Sequence, residues 1–175
     1  MPPYPPEAMR HLASPHGAGP MDAPDAVGES GGAACGDLVR IGIGLYGVPP
    51  APELAGAIPL RPALAVKARV SFVKTVEAGT RVSYGLRYEA PRATRIATVP
   101  AGYADGVPRN LGHAGAVALV HGHRCPIAGT VTMDQLMLDV GDLPVAAGDE
   151  VVLLGCQGDE EITASDWAAQ LGTIS

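Results

Sequence analysis

Aromatic residues are scarce in this sequence. It contains one Phe, one Trp and five Tyr among 175 residues, although 47% of the chain is hydrophobic. Much of the hydrophobic fraction is alanine and valine, so the core is expected to be aliphatic. A tyrosine that recurs in a particular local setting therefore stands out.

Cysteines are also few, and the sequence has no long run of basic residues or of apolar residues. Cys35, Cys125 and Cys156 are odd in number, lie far apart and form no metal-ligand spacing, which predicts inert thiols in a reducing cytoplasm. The net charge is -6 and there is no basic run, which argues against nucleic acid as a partner. No apolar stretch approaches the roughly 20 residues of a membrane span, and no signal peptide is recognisable. The five histidines are scattered, so no metal site is expected.

The first part of the chain differs from the rest. Residues 1–36 are rich in Pro and Gly and have no sustained hydrophobic period, which predicts a mostly disordered segment. Residues 37–47 contain a short apolar run that ends among glycines. Such a run is compatible with a buried strand and a turn whose backbone N–H groups can approach a phosphate, although a plain strand and turn looks the same.

From Ala63 onward the pattern is typical of β-structure. The alternating pattern from Leu64 to Val73 predicts a β-strand with one face toward solvent, and a turn follows at Glu77–Thr80. Further short strands are predicted at 95–100, 116–120, 126–131, 135–140 and 150–154. Their spacing predicts a mainly β fold, a small antiparallel β-barrel or sandwich. Thr163 and Asp166 resemble a capping pair at the start of one C-terminal helix, which Gly172 can end.

Tyrosine stands beside glycine after a strand-like run in Val82-Ser83-Tyr84-Gly85 and in Gly102-Tyr103-Ala104-Asp105-Gly106. A phenol beside bare backbone can reach a ligand that bulkier neighbours would block, and tyrosine can transfer a proton in catalysis. The alternative is that each tyrosine is a half-buried strand residue with a hydrogen-bonded hydroxyl.

Four segments in order resemble the C-terminal part of the alanine racemase family, and the resemblance covers roughly residues 37–174. The segments are Val39–Gly47, Val82–Gly85, Gly102–Arg109 and Met133–Gln135. The resemblance implies a two-domain enzyme that uses pyridoxal 5'-phosphate, held covalently by a lysine of an N-terminal (β/α)8 barrel. It also implies a head-to-tail homodimer in which the β-domain of one subunit completes the active site of the other. On this basis residues 37–47 are the last barrel strand and the phosphate turn, and residues 48–175 are the β-domain.

The resemblance assigns three residues to the cofactor. Arg40 matches the arginine that faces the pyridine nitrogen. Gly42 and Ile43 match the backbone donors to the phosphate. An arginine stays protonated, which keeps that nitrogen unprotonated and limits side reactions of the substrate carbanion.

Four further residues are assigned to the substrate, an amino acid. Tyr84 matches the catalytic tyrosine, which serves one face of the substrate while the lysine serves the other. Tyr103 matches a tyrosine at the entrance to the site. Met133 matches a residue whose main-chain N–H holds the substrate carboxylate, and Asp134 lies beside it.

The expected function is therefore the interconversion of L-alanine and D-alanine, which supplies D-alanine for peptidoglycan. Residues 1–36 are too few to build the lysine-bearing barrel, so the 175-residue chain alone is expected to be inactive. A broader-specificity or serine racemase of the same fold remains open. The alternative from another class is a free-standing β-domain that binds a partner, or an inert truncated product.

Overall fold

The computed structural model describes residue 44, residues 46–49 and residues 59–173. The chain divides into two compact units, Met1–Arg61 and Pro62–Ser175. The predictions for residues 1–36, and for Arg40, Gly42 and Ile43, lie outside the described residues. In the described part of the Gly-rich run, the Gly47 N–H donates to the Gly44 carbonyl over 3.0 Å and closes a turn.

The second unit is built from short strands that Gly- and Pro-containing turns separate. Within residues 59–173 the strands are β1 (Val66–Arg69), β2 (Phe72–Val76), β3 (Arg81–Val82), β4 (Tyr88–Glu89), β5 (Thr94–Val99), β6 (Val117–Val120), β7 (His123–Pro126), β8 (Leu136–Gly141), β9 (Glu150–Gln157) and β10 (Glu160–Ile162). The α-helix α1 (Ala164–Leu171) follows them.

All strand pairs are antiparallel, and they form three sheets. The first has the order β1-β9-β6-β7, with β10 added to β9; the second has the order β2-β5-β8; β3 and β4 form a hairpin. A single bridge between Ile127 and Leu138 links the chain after β7 to β8. The mainly β class with a C-terminal helix is confirmed, whereas the sheets do not close into a barrel.

One aliphatic core is shared by the two larger sheets. Burial alternates along strand β8, where Leu136, Leu138 and Val140 are buried. In β9, by contrast, every residue from Val151 to Leu154 is buried. Continuous burial fits a strand with neighbours on both edges and cover on both faces. Among the described residues no aromatic side chain is buried, as the composition predicted.

The predicted single strand from Leu64 to Val73 is wrong, because the chain changes sheets within it. At Val70 the N–H donates to the Asp149 carbonyl over 2.9 Å, and the carbonyl accepts from the Gly148 N–H over 2.7 Å. One residue later the Ser71 N–H donates to the Thr98 carbonyl over 2.8 Å. Strand β1 therefore pairs with β9, and β2 pairs with β5.

The predicted strand at 126–131 is also misplaced. Strand β7 ends at Pro126, and the chain then loops through Gly129, whose φ is 89°. This loop leads into the candidate site.

Helix α1 begins as the capping pattern predicted. The Asp166 N–H donates to Thr163 Oγ1 over 3.1 Å, and the Thr163 N–H donates to Asp166 Oδ2 over 2.8 Å. Gly172 ends the helix with a φ of 65°. Among the described helices, none has the length and apolar character needed to cross a membrane.

Candidate active site

Three loop segments meet around a cavity of about 300 Å³. They are the turn after β3, the turn after β5 with its continuation, and the loop before β8. The residues that line the cavity are Tyr84, Tyr103, Arg109, Thr130, Val131, Thr132 and Met133. Three residues predicted to act on the substrate, Tyr84, Tyr103 and Met133, thus lie around one cavity.

The segment that carries Tyr84 has an unusual backbone. Strand β3 ends at Val82, and a short 3₁₀ helix, Tyr84–Leu86, follows. Positive φ angles occur at Ser83 (70°), Gly85 (74°) and Leu86 (52°). The Tyr84 side chain is 70% exposed, and no group in the described part of the chain is hydrogen-bonded to its hydroxyl. This is not the setting of a half-buried strand tyrosine with a satisfied hydroxyl.

The segment that carries Tyr103 is attached directly to the Met133 loop. The Tyr103 N–H donates to the Thr132 carbonyl and the Ala104 N–H donates to the Met133 carbonyl, each over 3.0 Å. A Cβ added to Gly102 would overlap both of these carbonyl oxygens and would lie 2.5 Å from the Met133 carbonyl carbon. Glycine is required here by close approach of backbone, which explains the residue that precedes Tyr103.

The Met133 loop is held by a tight turn. Thr132 donates to the Gln135 carbonyl twice, from its N–H over 2.9 Å and from Oγ1 over 2.8 Å. No acceptor in the described part of the chain is bonded to the Met133 N–H, which leaves a donor available at the cavity. Asp134 is exposed and does not line the cavity.

Arg109 is a cavity residue to which the sequence analysis gave no role. It begins a 3₁₀ helix, Arg109–Gly112, is exposed, and forms no ion pair within residues 59–173. A guanidinium is well suited to bind a carboxylate. Its position at the end of the motif Gly102–Arg109 was the signal that could have identified it.

A half-buried carboxylate, Asp139, supports the hairpin that carries Tyr84. Asp139 of β8 accepts hydrogen bonds from the Tyr88 hydroxyl of β4, from the Thr94 hydroxyl of β5, and from the Gly141 N–H over 2.9 Å. Burial raises the pKa of Tyr88 to about 12, and the hydrogen bond to Asp139 adds to the effect. Burial also acts to raise the pKa of Asp139, but the hydrogen bonds from Thr94, Tyr88 and Gly141 outweigh it and hold that pKa below its usual value. The carboxylate is therefore charged and ties the hairpin to both neighbouring strands.

The described residues fit the substrate side of the predicted site. A cavity of this size, with a phenol, a guanidinium and a spare backbone N–H, suits a small amino acid. The residues predicted to hold the cofactor, Arg40, Gly42 and Ile43, lie outside the described residues.

Comparison with known families gives a consistent result. The family described as "Alanine racemase, C-terminal domain" matches residues 63–175. Among curated proteins, an alanine racemase from Symbiobacterium thermophilum is 50% identical over 169 residues, which cover 96% of this chain and 42% of the relative. An alanine racemase from Nostoc sp. is 53% identical over 140 residues, 79% of this chain and 36% of the relative. The chain thus spans about two fifths of the length of these relatives, and the first alignment extends into residues 1–36.

Solved structures agree with the sequence matches. The crystal structure of alanine racemase from E. faecalis has a TM-score of 0.70 at 40% identity and covers 75% of this chain and 35% of that chain. The alanine racemase from Bacillus anthracis, solved with bound L-Ala-P, has a TM-score of 0.70 at 43% identity and covers 76% of this chain and 34% of that chain.

Proposed function

Since the chain belongs to the family of alanine racemase C-terminal domains, we propose that it supplies the β-domain of a racemase that interconverts L-alanine and D-alanine. The observation that carries the proposal is the convergence of Tyr84, Tyr103 and Met133 on one cavity. The product D-alanine would serve peptidoglycan synthesis, and the reaction would take place in the cytoplasm.

Pyridoxal 5'-phosphate is the proposed cofactor. When bound, it supplies an electron-withdrawing ring that acidifies the α-hydrogen of an amino acid. In this proposal Arg40 would hold the pyridine nitrogen, and the backbone N–H groups of Gly42 and Ile43 would hold the phosphate. Residues 37–47 would then belong to the cofactor domain, and residues 48–175 to the β-domain.

Racemisation requires a proton carrier on each face of the substrate α-carbon. We assign one face to Tyr84, whose hydroxyl is exposed and free of partners among the described residues. The second carrier is assigned to a lysine of the cofactor domain. Because two groups work from opposite sides, removal of one should affect the two enantiomers unequally.

The carboxylate of the substrate needs a fixed partner so that its α-carbon lies between the two carriers. The Met133 N–H, which has no acceptor among the described residues, is suited to this role, and Asp134 beside it would help to orient the loop. Arg109 provides a positive charge that attracts the carboxylate to the cavity. Tyr103 is assigned to the entrance, where its ring limits the size of the substrate.

A second subunit is the proposed cover of this site. Tyr84, Tyr103 and Met133 are 70%, 43% and 52% exposed, so an open apolar rim surrounds the cavity. Proton transfer is efficient where water is excluded, which favours a covering surface. A head-to-tail homodimer would place the cofactor domain of one subunit over the β-domain of the other.

The test is complementation. The 175-residue chain is mixed with the N-terminal part of the Symbiobacterium thermophilum racemase and with pyridoxal 5'-phosphate, and interconversion of the alanine enantiomers is followed by chiral chromatography. We expect activity in the mixture and none with either part alone. Activity of the 175-residue chain alone would contradict the assignment of the second carrier, and a silent mixture that still forms a complex would favour a binding domain.

The role of Tyr84 is tested in the same mixture. Tyr84→Phe keeps the ring and removes the proton carrier, so most activity should be lost while the complex still forms. Exchange of the α-deuterium of L-alanine, assigned to Tyr84, should fall more than exchange from D-alanine. Equal loss for both enantiomers would contradict the assignment and direct attention to Tyr103.

A further inference from the structure

The backbone around Tyr84 is strained, and its own short 3₁₀ turn does not explain its shape. Ser83 has φ 70° and ψ 169°, a combination that residues with a Cβ rarely adopt. Leu86 has a positive φ as well, of 52°. Such conformations persist only where surrounding contacts hold them, and they cluster at functional sites.

The contacts that hold this turn come from one residue, 46 and 47 positions away in sequence. The Ser83 hydroxyl donates to the Thr130 carbonyl over 2.9 Å, and the Thr130 N–H donates to the same hydroxyl oxygen over 2.9 Å. The Thr130 hydroxyl donates to the Tyr84 carbonyl over 3.1 Å. Two side chains thus fasten the Tyr84 turn to the Met133 loop with three hydrogen bonds.

Two neighbours make this attachment rigid. Gly129 allows the close approach, because a Cβ there would lie 2.6 Å from Ser83 Cβ. On the other side Val131 is fully buried in the shared core. Thr130 is itself only 5% exposed, so its hydrogen bonds face little competition from water.

We propose that Thr130 is a positioning residue for Tyr84, and that it acts through the three hydrogen bonds with Ser83 and the Tyr84 carbonyl. These bonds fix the strained turn that aims the phenol into the cavity and set its place relative to the Met133 N–H. The proposal rests on the proposed function for the catalytic role of Tyr84, but the hold on the turn can be measured without catalysis. Small displacements of a proton carrier lower a rate steeply.

The first experiment uses amide hydrogen exchange of the 175-residue chain. The probe is the Leu86 N–H, which donates to the Ser83 carbonyl over 3.0 Å and reports whether the turn is closed. Thr130→Val keeps the shape and removes the hydroxyl, and should speed Leu86 exchange about tenfold, as expected for the loss of one ordinary hydrogen bond. Thr130→Ser restores the hydroxyl and should restore slow exchange. Thr132→Val is the matched control, because that hydroxyl bonds the Gln135 carbonyl and not the Tyr84 turn.

A second pair of variants addresses the other half of the attachment. Ser83→Ala removes two of the three bonds and should also open the turn. Ser71→Ala removes a similar hydroxyl bond, to the Thr98 carbonyl over 3.0 Å, outside the cavity, and should leave Leu86 unchanged. Unchanged Leu86 exchange in both Thr130→Val and Ser83→Ala would overturn the proposal. Equally faster exchange at Ala97 of β5 would also overturn it, because Thr130 would then support the fold as a whole.

The second experiment measures kinetics of the variants in the complemented enzyme. Thr130→Val should lower kcat about 10- to 100-fold with little change in KM, and Thr130→Ser should restore it. An unchanged kcat with an opened turn would overturn the positioning role. If the unsubstituted mixture is inactive while Thr130→Val still opens the turn, the racemase proposal fails and the hold of Thr130 on the turn stands.

Discussion

Replacing Asp139 by alanine should destabilise the β-domain more than replacing an exposed carboxylate by alanine does. Asp139 receives three donors, the hydroxyls of Tyr88 and Thr94 and the Gly141 N–H. Alanine leaves all three without this acceptor. The Thr94 hydroxyl has little access to water, since the residue is 2% exposed.

The expected magnitude follows from these partners. A hydrogen bond to a charged group contributes about 1.5–3 kcal/mol, and the sum over three bonds is reduced here because Asp139 is only half-buried. Tyr88 is half-buried, so water can partly replace its lost bond. We therefore expect Asp139→Ala to lower the free energy of unfolding by about 3–4 kcal/mol, or the Tm by about 10–15 °C. Asp139→Asn keeps an acceptor and should cost about 1 kcal/mol.

Urea denaturation of the 175-residue chain measures this change. Asp142→Ala is the matched control, because Asp142 pairs with Arg92 over 3.2 Å while its side chain is 89% exposed. An exposed pair contributes less than about 1 kcal/mol. Surface substitutions usually change the free energy of unfolding by no more than about 0.5 kcal/mol. If the losses caused by Asp139→Ala and Asp142→Ala differ by less than this, the hydrogen bonds of Asp139 do not stabilise the fold and the reasoning is refuted.

The same carboxylate predicts a dependence on pH. The pKa of Asp139 is lowered in the folded protein, because its hydrogen bonds outweigh burial. A group with a depressed folded pKa stabilises the protein fully above its unfolded pKa, about 3.9 for Asp, and loses that contribution as the pH falls through the folded value. The difference in stability between the unsubstituted chain and Asp139→Ala should thus be constant from about pH 7 to pH 5 and shrink below about pH 4. A difference that grows on acidification would contradict the assigned direction.

Three further changes have defined outcomes. Arg109→Gln in the complemented enzyme should raise KM for alanine about tenfold with a smaller effect on kcat, since a charge that attracts the carboxylate is lost; an unchanged KM would remove Arg109 from substrate binding. Thr163→Ala removes the N-cap of α1 and should cost about 1 kcal/mol in urea denaturation followed by Trp167 fluorescence; no loss would show that packing alone sets this helix start. Gly102→Ala should destabilise the β-domain by about 3 kcal/mol.

The parts of the fold that the sequence predicted are those with local causes. Helix α1 was predictable because the N-cap Thr163, its partner Asp166 and the terminating Gly172 all lie within ten residues of one another. The alternation in β8 was equally visible, because one face of that strand meets the core along its whole length.

The change of sheets at Val70 was not predictable from local pattern. The alternation of apolar and polar residues continues across it in the sequence, from Val66 to Phe72, whereas in the structure Val70 is buried and Phe72 is exposed. What divides the strand is a set of partners far away in sequence, Gly148 and Asp149 on one side and Thr98 on the other. Strand pairing of this range is not encoded in a window of ten residues.

The candidate site likewise contains residues that the sequence predicted and residues that it did not. Tyr84, Tyr103 and Met133 were predicted from motif resemblance, and their roles remain predictions. Thr130 was missed because threonine in a loop carries no signal of its own. Its importance comes from burial and from partners 46 and 47 positions away, which only the folded chain reveals.

Gly102 belongs to a local motif but contacts a distant segment. Its substitution separates the two effects of glycine, the freedom of its backbone and the absence of a Cβ. Its φ is -142°, so alanine there has no backbone penalty, and the cost comes from overlap with the carbonyls of Thr132 and Met133. Relief of that overlap requires the two segments to separate, which breaks the bonds of the Tyr103 and Ala104 N–H groups; two bonds at about 1 kcal/mol each plus residual strain give about 3 kcal/mol.

Gly158 is the matched control, because its φ is 64° and no atom lies within 4 Å of a Cβ there. Gly158→Ala should therefore cost only about 1–2 kcal/mol of backbone strain. Amide exchange should locate the effect, with faster exchange at Tyr103 and Ala104 in Gly102→Ala and at neither in Gly158→Ala. Unchanged exchange at both amides in Gly102→Ala would mean that the two segments tolerate separation, and that their contact does not shape the cavity.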